Sequence, residues 1–458
     1  MLRAGTARTD LTPDWPVMLA GFGQRTAPAT TVHDPVLAKA LYLEQGGERL
    51  LLLTADLLSI PGQVGTQVAA AIGQATGLAP RQIMLCASHT HSAPTPGDAG
   101  DGATGVARFE AHLIQRLAAL GIAATRAARP ARLRSAIGRA DIFFNRRAAS
   151  AEQVDPRVPV LLAETPAGAP LAVLFGAACH PTVLGWDNMA ISADFTGAAQ
   201  AAVERALPGA TALFMNLAQG NIIPITSPRF DALDPRGYRG GTWEMAAALG
   251  ERLAAAVLEA ARAATPAEPG LAAARTDLAL PGFLAHLGHA EATARLAEHK
   301  ARIAAELGAD FETRFPWNHL WSHASRRVIA EAMDEPRMRR LMIACCDYRA
   351  CLARLRLPEA APPLPVPVQL LRLAGLTLLA LPGEVLVETG EAWRQEAGER
   401  AFIVACANAH HRYLPGRIHF AEPNAANRYE TASAGLEEAA MDRIFAAARA
   451  MLGEAVAP

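Results

Sequence analysis

The 458-residue chain has few aromatic residues, no excess of charge and no long apolar stretch. Aromatic residues make up only 5% of it, so we expect a core built from Leu, Val, Ile and Ala. The formal net charge is −1 and no basic block stands out, which argues against nucleic acid or an anionic membrane as the main partner. Because no run of about 18 uninterrupted apolar residues exists, we expect no transmembrane helix and no stable membrane anchor.

Cysteine is also scarce, and its six positions form no metal-binding pattern. No Cys-x-x-Cys motif is present, which argues against a zinc site built from cysteines alone. Cys86, Cys179 and Cys406 lie inside apolar runs typical of strands, where a buried free thiol is ordinary. This usage suits a reducing compartment, and the N-terminus lacks the apolar segment and cleavage site of a signal peptide. We therefore expect a cytoplasmic, bacterial-type protein.

The order of apolar runs and helical spacings predicts an α/β protein with mixed β-sheets flanked by helices. Short apolar runs bounded by turn residues, such as 50–58 and 83–87, indicate buried strands. From about residue 283 to 355 the pattern is mostly helical and rich in Ala, Arg and Glu. We interpret this section as a helical cap over the active site, inserted into a single domain that spans residues 1–458.

The segment IMLCASHTHSAPTPG, residues 83–97, carries the clearest chemical signal. Its apolar half predicts a strand, and His89 and His91 follow at the strand's carboxyl end, where α/β sheets place their chemistry. Residues i and i+2 of an extended chain face the same side, so both imidazoles are expected to face one pocket. Imidazole is the commonest protein metal ligand, although a His-x-His pair alone also suits a surface turn.

Other strand ends carry residues of the same chemical type. The strand at 171–178 leads into His180, and the strand at 376–381 is followed by Glu384. Two histidines and a carboxylate with an open position form the usual catalytic zinc set. Taken alone, His180 would equally suit a core histidine, and Glu384 would suit the N-terminus of the helix predicted over 385–396. Arg146 follows a further strand, predicted over 133–144, where arginine is either a solvated turn residue or an anchor for an oxyanion.

The chain resembles the neutral (non-lysosomal) ceramidases, which are zinc amidases that cleave the amide bond of ceramide. The motif SHTHSAP at 88–94 is similar to the family's THTHSGPGG motif and is the most specific match. Shorter similar segments follow in the family's order, namely NRR at 145–147, CHPTVLG at 179–185, ISADFTG at 191–197, LPGE at 381–384, ANAHHRYLP at 407–415 and NRYETASAG at 427–435. The resemblance spans nearly the whole chain and implies the mixed α/β fold of the family's catalytic domain.

The resemblance also implies a metal site. His89, His180, Glu384 and Tyr413 fall on the family's zinc ligands, which implies one Zn²⁺ per chain. Tyrosine is a rare zinc ligand, and spacing alone does not nominate Tyr413. Imidazole and carboxylate ligands suit several metals, so the preference for zinc comes from the family.

Four more residues receive roles from the same resemblance. His91 falls beside the site and would shuttle a proton or hydrogen-bond the substrate. Arg146 falls on an arginine that would orient the substrate's oxygen. Asp194 and Tyr429 fall on positions that line or support the pocket.

The chain departs from the family in three respects. A serine credited with a catalytic role in the family is replaced by Ile223, which excludes a serine nucleophile at that position. No C-terminal immunoglobulin-like domain is expected, because the chain stops near where that domain would begin. The third departure is the missing secretion signal. We therefore expect a substrate smaller than ceramide.

These features predict a zinc-dependent hydrolase that cleaves the C–N amide bond of a small N-acyl substrate by attack of zinc-bound water. The same site would suit an ester or a lactone, because zinc hydroxide attacks either carbonyl. The chain would alternatively be a non-catalytic binding protein on a degenerate scaffold, a reading that Ile223 supports. Retention of all four ligand positions favours the enzyme.

Overall fold

A computed structural model describes residues 1–454, apart from 23–24, 26, 30, 96–102, 148–151, 227–240, 269, 315–334 and 423–427. The β-strands are, in chain order, β1 (Arg3–Asp10), β2 (Thr31–Val32), β3 (Leu37–Gln45), β4 (Glu48–Ala55), β5 (Ile83–Ala87), β6 (Arg129–Pro130), β7 (Arg132–Arg139), β8 (Phe143–Asn145), β9 (Arg157–Glu164), β10 (Pro170–Ala177), β11 (Ala190–Ile191), β12 (Thr211–Asn216), β13 (Ile222–Pro224), β14 (Thr265–Pro266), β15 (Ala272–Leu280), β16 (Leu364–Leu373), β17 (Leu376–Ala380), β18 (Glu384–Val385), β19 (Ala401–Val404) and β20 (Tyr413–Leu414). The α-helices are α1 (Gly62–Thr76), α2 (Ala103–Arg126), α3 (Asp194–Ala206), α4 (Trp243–Ala263), α5 (His289–Leu307), α6 (Phe311–Arg314), α7 (Glu335–Leu355), α8 (Val387–Ala397), α9 (Arg417–Phe420), α10 (Arg428–Ala432) and α11 (Ala440–Glu454).

Three larger sheets form the body of the protein, and each is mostly antiparallel with one parallel pair at an edge. Their strand orders are β5-β4-β3-β1-β6, β12-β10-β9-β7-β14 and β15-β16-β17-β19. The parallel pairs are β4 with β5, β10 with β12, and β17 with β19. The predicted fold class of mixed sheets flanked by helices is therefore confirmed. These parallel pairs are important because the chain continues from each of them toward the same buried region.

The run of leucines at 50–53 shows how one strand serves two cores. Side chains alternate across a strand, so Leu51 and Leu53 of β4 pack toward helices α1 and α2. Leu50 and Leu52 point the other way and join an apolar layer between the sheets, which also contains Leu174. A strand buried on both faces needs a continuous apolar sequence, which is why this segment shows no alternation of polar residues.

Two predicted elements differ from the structure. The segment 133–144, predicted as one strand, is divided between β7 and β8, and β8 leaves the second sheet to pair with β13. The helix predicted to begin at Val385 begins at Val387 instead. The reason is that Glu384 and Val385 form β18, which pairs in parallel with β20.

The section from 283 to 355 is helical where it is described. Helices α5, α6 and α7 enclose a small apolar cluster of their own, which includes Ile303, Phe311 and Cys345. Tyr429 and Ala432 of α10 pack against this cluster. The section therefore contacts the short helix that follows the sheet body, and residues 315–334 of the predicted cap lie outside the described residues. Among the helices that the structure describes, none is long and apolar enough to cross a membrane.

Candidate metal centre

The chain segments that leave the three parallel edges converge on one buried site. His89 follows β5, His180 follows β10, and Glu384 lies just beyond β17 in β18. All three side chains are almost fully buried, at 2%, 1% and 6% exposure. The structure thus brings together residues that lie far apart in the sequence, as strand-end chemistry predicts.

The two histidines of the His-x-His motif reach the site by a different backbone path from the one predicted. His89 has φ of +69°, in the left-handed region, and His91 lies in a turn. The chain is therefore not extended at this point, and the i, i+2 argument is wrong in its detail. The rings nevertheless lie close, with centroids 5.0 Å apart, and His180 lies 4.9 Å from His89. One ligand nitrogen of each of these three histidines lies within 4.8 Å of the others.

Backbone carbonyls fix how His89 and His180 face the site. Nδ1 of His89 lies 2.8 Å from the Leu58 carbonyl, and Nδ1 of His180 lies 2.9 Å from that of Gln219. A carbonyl only accepts hydrogen bonds, so each Nδ1 carries a proton that it donates. The other nitrogen, Nε2, then presents its lone pair to the site. Metal-binding histidines are commonly held in this way.

Glu384 faces the same two histidines. Its Oε2 lies 3.3 Å from Nε2 of His89 and 3.1 Å from Nε2 of His180. Two lone pairs and a carboxylate oxygen that face one another are three acceptors, and only a positive charge between them makes the arrangement favourable. Burial alone would raise the pKa of Glu384, but positive charge on the His89 imidazole outweighs it and holds the pKa well below its usual value, so a proton can supply this charge when no metal does. The donor set therefore fits a divalent cation that accepts nitrogen and oxygen ligands.

Tyr413 enters the site through strand pairing with Glu384. The two residues are register partners between β20 and β18. Burial raises the pKa of Tyr413 well above its ordinary value, against the opposing effect of the Arg146 guanidinium. Nη2 of Arg146 donates to the Tyr413 hydroxyl oxygen at 3.0 Å, which would stabilise negative charge on that oxygen.

Arg146 is itself held in place by buried partners. Its Nε donates to Oε1 of Glu430 at 2.9 Å, and its Nη2 also donates to the Gly220 carbonyl at 2.8 Å. Arg147 donates to the second oxygen, Oε2, of Glu430 at 3.0 Å. The Arg146 guanidinium lies 5.3 Å from the ring centre of Tyr429. The arginine is thus a rigid, buried group and not a solvated turn residue.

His91 packs beside His89 and His180 but has different neighbours. The Phe22 ring lies 4.8 Å from it, and Gly21 leaves the space that it fills, since a Cβ at Gly21 would lie 2.3 Å from Nδ1. The buried Arg25 donates to the His91 carbonyl and fixes this turn. Both ring nitrogens of His91 are buried and have no hydrogen-bond partner within the described part of the chain. A buried polar atom without a partner costs about 1–3 kcal/mol, which points to a ligand or substrate group as the missing partner.

Asp194 supports the backbone near the site, and Ile223 packs in the core. Asp194 accepts from the Leu184 amide at 2.9 Å and from its neighbour's amide, so it ties the loop that follows His180 to helix α3. Ile223 lies in β13 opposite Phe144 and is 3% exposed. It therefore packs as a core residue in the position where the family resemblance places a serine.

Three further residues belong to the site although the sequence did not nominate them. Sγ of Cys406 lies 3.5 Å from Nδ1 of His89, Glu430 pairs with Arg146, and Nε2 of His410 lies 3.6 Å from Oε1 of Glu384. Glu430 and His410 do fall inside the segments that carry the family resemblance. No spacing rule distinguishes them from their neighbours, because their partners are distant in the sequence.

The fold and the buried residues define a mixed α/β protein with a buried candidate metal centre. The structure is similar to the crystal structure of neutral ceramidase from Pseudomonas aeruginosa, with a TM-score of 0.68 and 20% identity over 97% of this chain and 72% of that one. It is equally similar to a ceramidase complexed with C2, with a TM-score of 0.69 and 19% identity over 97% and 73% of the two chains. No protein-family model and no curated protein sequence matches the chain. At this identity the likeness establishes the fold, and the predicted resemblance to neutral ceramidases is confirmed at that level.

Proposed function

We propose that the protein is a zinc-dependent hydrolase that cleaves the C–N amide bond of a small N-acyl substrate. The observation that carries this proposal is the convergence of Nε2 of His89, Nε2 of His180 and Oε2 of Glu384 at 3.1–3.3 Å. Carbonyl bonds to both Nδ1 atoms leave the facing lone pairs without protons of their own. The ceramidase likeness of the fold supports an amide as the bond that is cleaved.

The proposed ligands are His89, His180, Glu384 and Tyr413, with one Zn²⁺ per chain. A bound Zn²⁺ supplies Lewis acidity and lowers the pKa of a coordinated water to about 7. The donation from Arg146 to the Tyr413 oxygen favours a phenolate at that position. The carbonyl bonds to the two imidazoles hold the ligand set in place before the metal arrives.

The remaining residues of the site act on the substrate. His91 has two ring nitrogens without a hydrogen-bond partner among the described residues, so it is placed to pass a proton to the leaving amine. Arg146 carries a fixed positive charge at the edge of the site and would stabilise an oxyanion that develops on the acyl oxygen. Ile223 offers no nucleophilic atom, which favours water as the group that attacks the carbonyl.

A substrate panel tests the proposal. Zinc-loaded wild type and Glu384→Gln would be assayed on short N-acyl amides and on the matching esters and lactones. We expect the wild type to hydrolyse the amides and the variant to lose this activity. Turnover of esters or lactones without any amide would identify the same site as an esterase or lactonase. Bound metal without turnover of any acyl compound would instead favour a binding protein.

A further inference from the structure

The carboxylate of Glu384 uses its two oxygens differently. Oε2 faces Nε2 of both His89 and His180, whereas Oε1 faces neither and lies 3.6 Å from Nε2 of His410. A carboxylate can bind a metal through one oxygen or through both, and the choice decides how many positions remain open for other ligands. What holds Oε1 therefore matters to the chemistry of the site.

His410 is well placed to hold that oxygen. It lies in the loop between β19 and β20, and its ring centre is 5.9 Å from that of His89. Its Nδ1 is buried without a hydrogen-bond partner in the described residues, and a buried N–H without an acceptor is rarer than an unpaired lone pair. This favours the neutral tautomer with the proton on Nε2, the nitrogen beside Oε1.

We propose that His410 is a positioning residue that donates its Nε2–H to Oε1 of Glu384 and so makes this carboxylate a one-oxygen metal ligand. The observed separation of 3.6 Å is longer than a hydrogen bond, and such contacts commonly tighten when a site is engaged. With Oε1 held by His410, Glu384 would offer a bound metal one oxygen and would leave room beside it for water or for the acyl oxygen. This inference rests on the proposed function, because it requires a metal at Oε2.

The test compares the metal binding of three variants with that of the wild type. His410→Phe keeps a ring of similar size without a donor, and His410→Gln restores an N–H group. The neighbouring His411 bonds through its ring to the Pro365 carbonyl at 2.8 Å, so His411→Phe is a matched control outside the site. Zinc affinity would be measured by competition with a chromophoric chelator, and visible absorption of the Co²⁺-loaded proteins would report the coordination number.

We expect His410→Phe to weaken zinc binding by about 10–100-fold, as is usual when a residue behind a ligand is removed. Its Co²⁺ spectrum should show a higher coordination number, because Glu384 is then free to bind through both oxygens. His410→Gln should recover most of the affinity, and His411→Phe should match the wild type.

Three results would overturn the inference. An unchanged affinity and spectrum in His410→Phe would show that His410 does not hold Glu384. A lower coordination number in this variant would make His410 a direct ligand instead. A wild type that binds neither metal would remove the proposed function as well, which distinguishes the two failures.

Discussion

Glu384 and Tyr413 are register partners in the two-stranded parallel sheet of β18 and β20. The pairing places two predicted ligands on neighbouring strands, which lie about 4.8 Å apart in a β-sheet. It depends on the glycine of the Leu-Pro-Gly-Glu segment, since a Cβ on Gly383 would lie 2.5 Å from the Arg412 carbonyl oxygen. Strand pairing thus explains how a tyrosine joins a site otherwise built from residues at strand ends.

We predict that His91 acts on the substrate and is not needed to hold the metal. His91→Ala should therefore retain its zinc while kcat falls by about 10²–10⁴-fold, the usual contribution of a general acid or base. The measurement is metal content together with kcat on the best amide substrate. Loss of zinc from this variant would make His91 a ligand, a role that the 4.8 Å grouping of the three histidines also permits.

A substitution at Gly21 would perturb the His91 ring in a second way. Gly21 has φ of +88°, and an added Cβ would lie 2.3 Å from Nδ1 of His91. We expect Gly21→Ala to displace the imidazole and to lower kcat with zinc retained. Normal kcat in this variant would argue against a role that depends on the placement of His91.

The second prediction separates the structural and catalytic roles of Arg146. Among the described residues, Arg146→Met leaves Glu430 with Arg147 as its one ionic partner, and breaking a buried pair in this way costs about 3–5 kcal/mol of unfolding free energy. The double variant Arg146→Met/Glu430→Gln should recover most of this stability, because the buried charge is gone and Arg147 still pairs with Glu422. Urea unfolding measures both effects.

The catalytic activity of the double variant should not recover together with its stability. The double variant still lacks the cation beside the Tyr413 hydroxyl, so its kcat should stay low although the fold is restored. A double variant with wild-type kcat would show that Arg146 serves the fold alone.

The third prediction concerns Ile223, which occupies the position of the serine in the family motif. Because Ile223 is 3% exposed, Ile223→Ser should lower the unfolding free energy by about as much as a buried Ile→Ala change, 2–5 kcal/mol. Ile223→Val, the matched control, should cost about 0.5–1.5 kcal/mol. Neither change should raise kcat per folded molecule. A marked gain in kcat in Ile223→Ser would contradict attack by water.

The fourth prediction is a pH dependence of stability that arises from Asp194. Burial raises the pKa of Asp194 from its ordinary value of 3.8 to about 7, against the opposing effect of the amide groups that it accepts. The folded protein therefore holds this proton more tightly than the unfolded chain does. Ionisation costs stability, and the cost grows as the pH rises from about 4 to about 7.

Asp194→Asn isolates this contribution, because asparagine does not ionise in this range. The unfolding free energy of the wild type should fall relative to that of the variant by up to about 4 kcal/mol across the window. Parallel urea titrations at several pH values between 4 and 8 would measure the difference. Two curves that stay parallel throughout would show that Asp194 keeps the same pKa in both states.

The sequence pattern predicted those features that depend on residues close together in the chain. Buried strands such as β5 follow from a short apolar run bounded by turns, and the placement of His89 and His180 follows from the strands that precede them. The family resemblance supplied Tyr413, which no spacing rule would select. These residues are the ones that the structure brings to a single site.

Long-range contacts could not be predicted in this way. Glu430 supports Arg146 across a large sequence separation, and His410 lies beside Glu384 near the point where β18 pairs with β20. The left-handed backbone of His89 was also missed, since no glycine or asparagine marks that position. Such features depend on the assembled sheets and leave no periodic signal in the sequence.

Metal content of the wild type and of His180→Ala, both purified without added metal, tests the central claim most directly. Elemental analysis should find about one zinc per folded wild-type chain and none in the variant, because His180 supplies one of the converging ligand atoms. His411→Phe, prepared in parallel, should keep its zinc and controls for losses during purification. A folded wild type that contains no metal and takes up none from added zinc would contradict the proposed hydrolase.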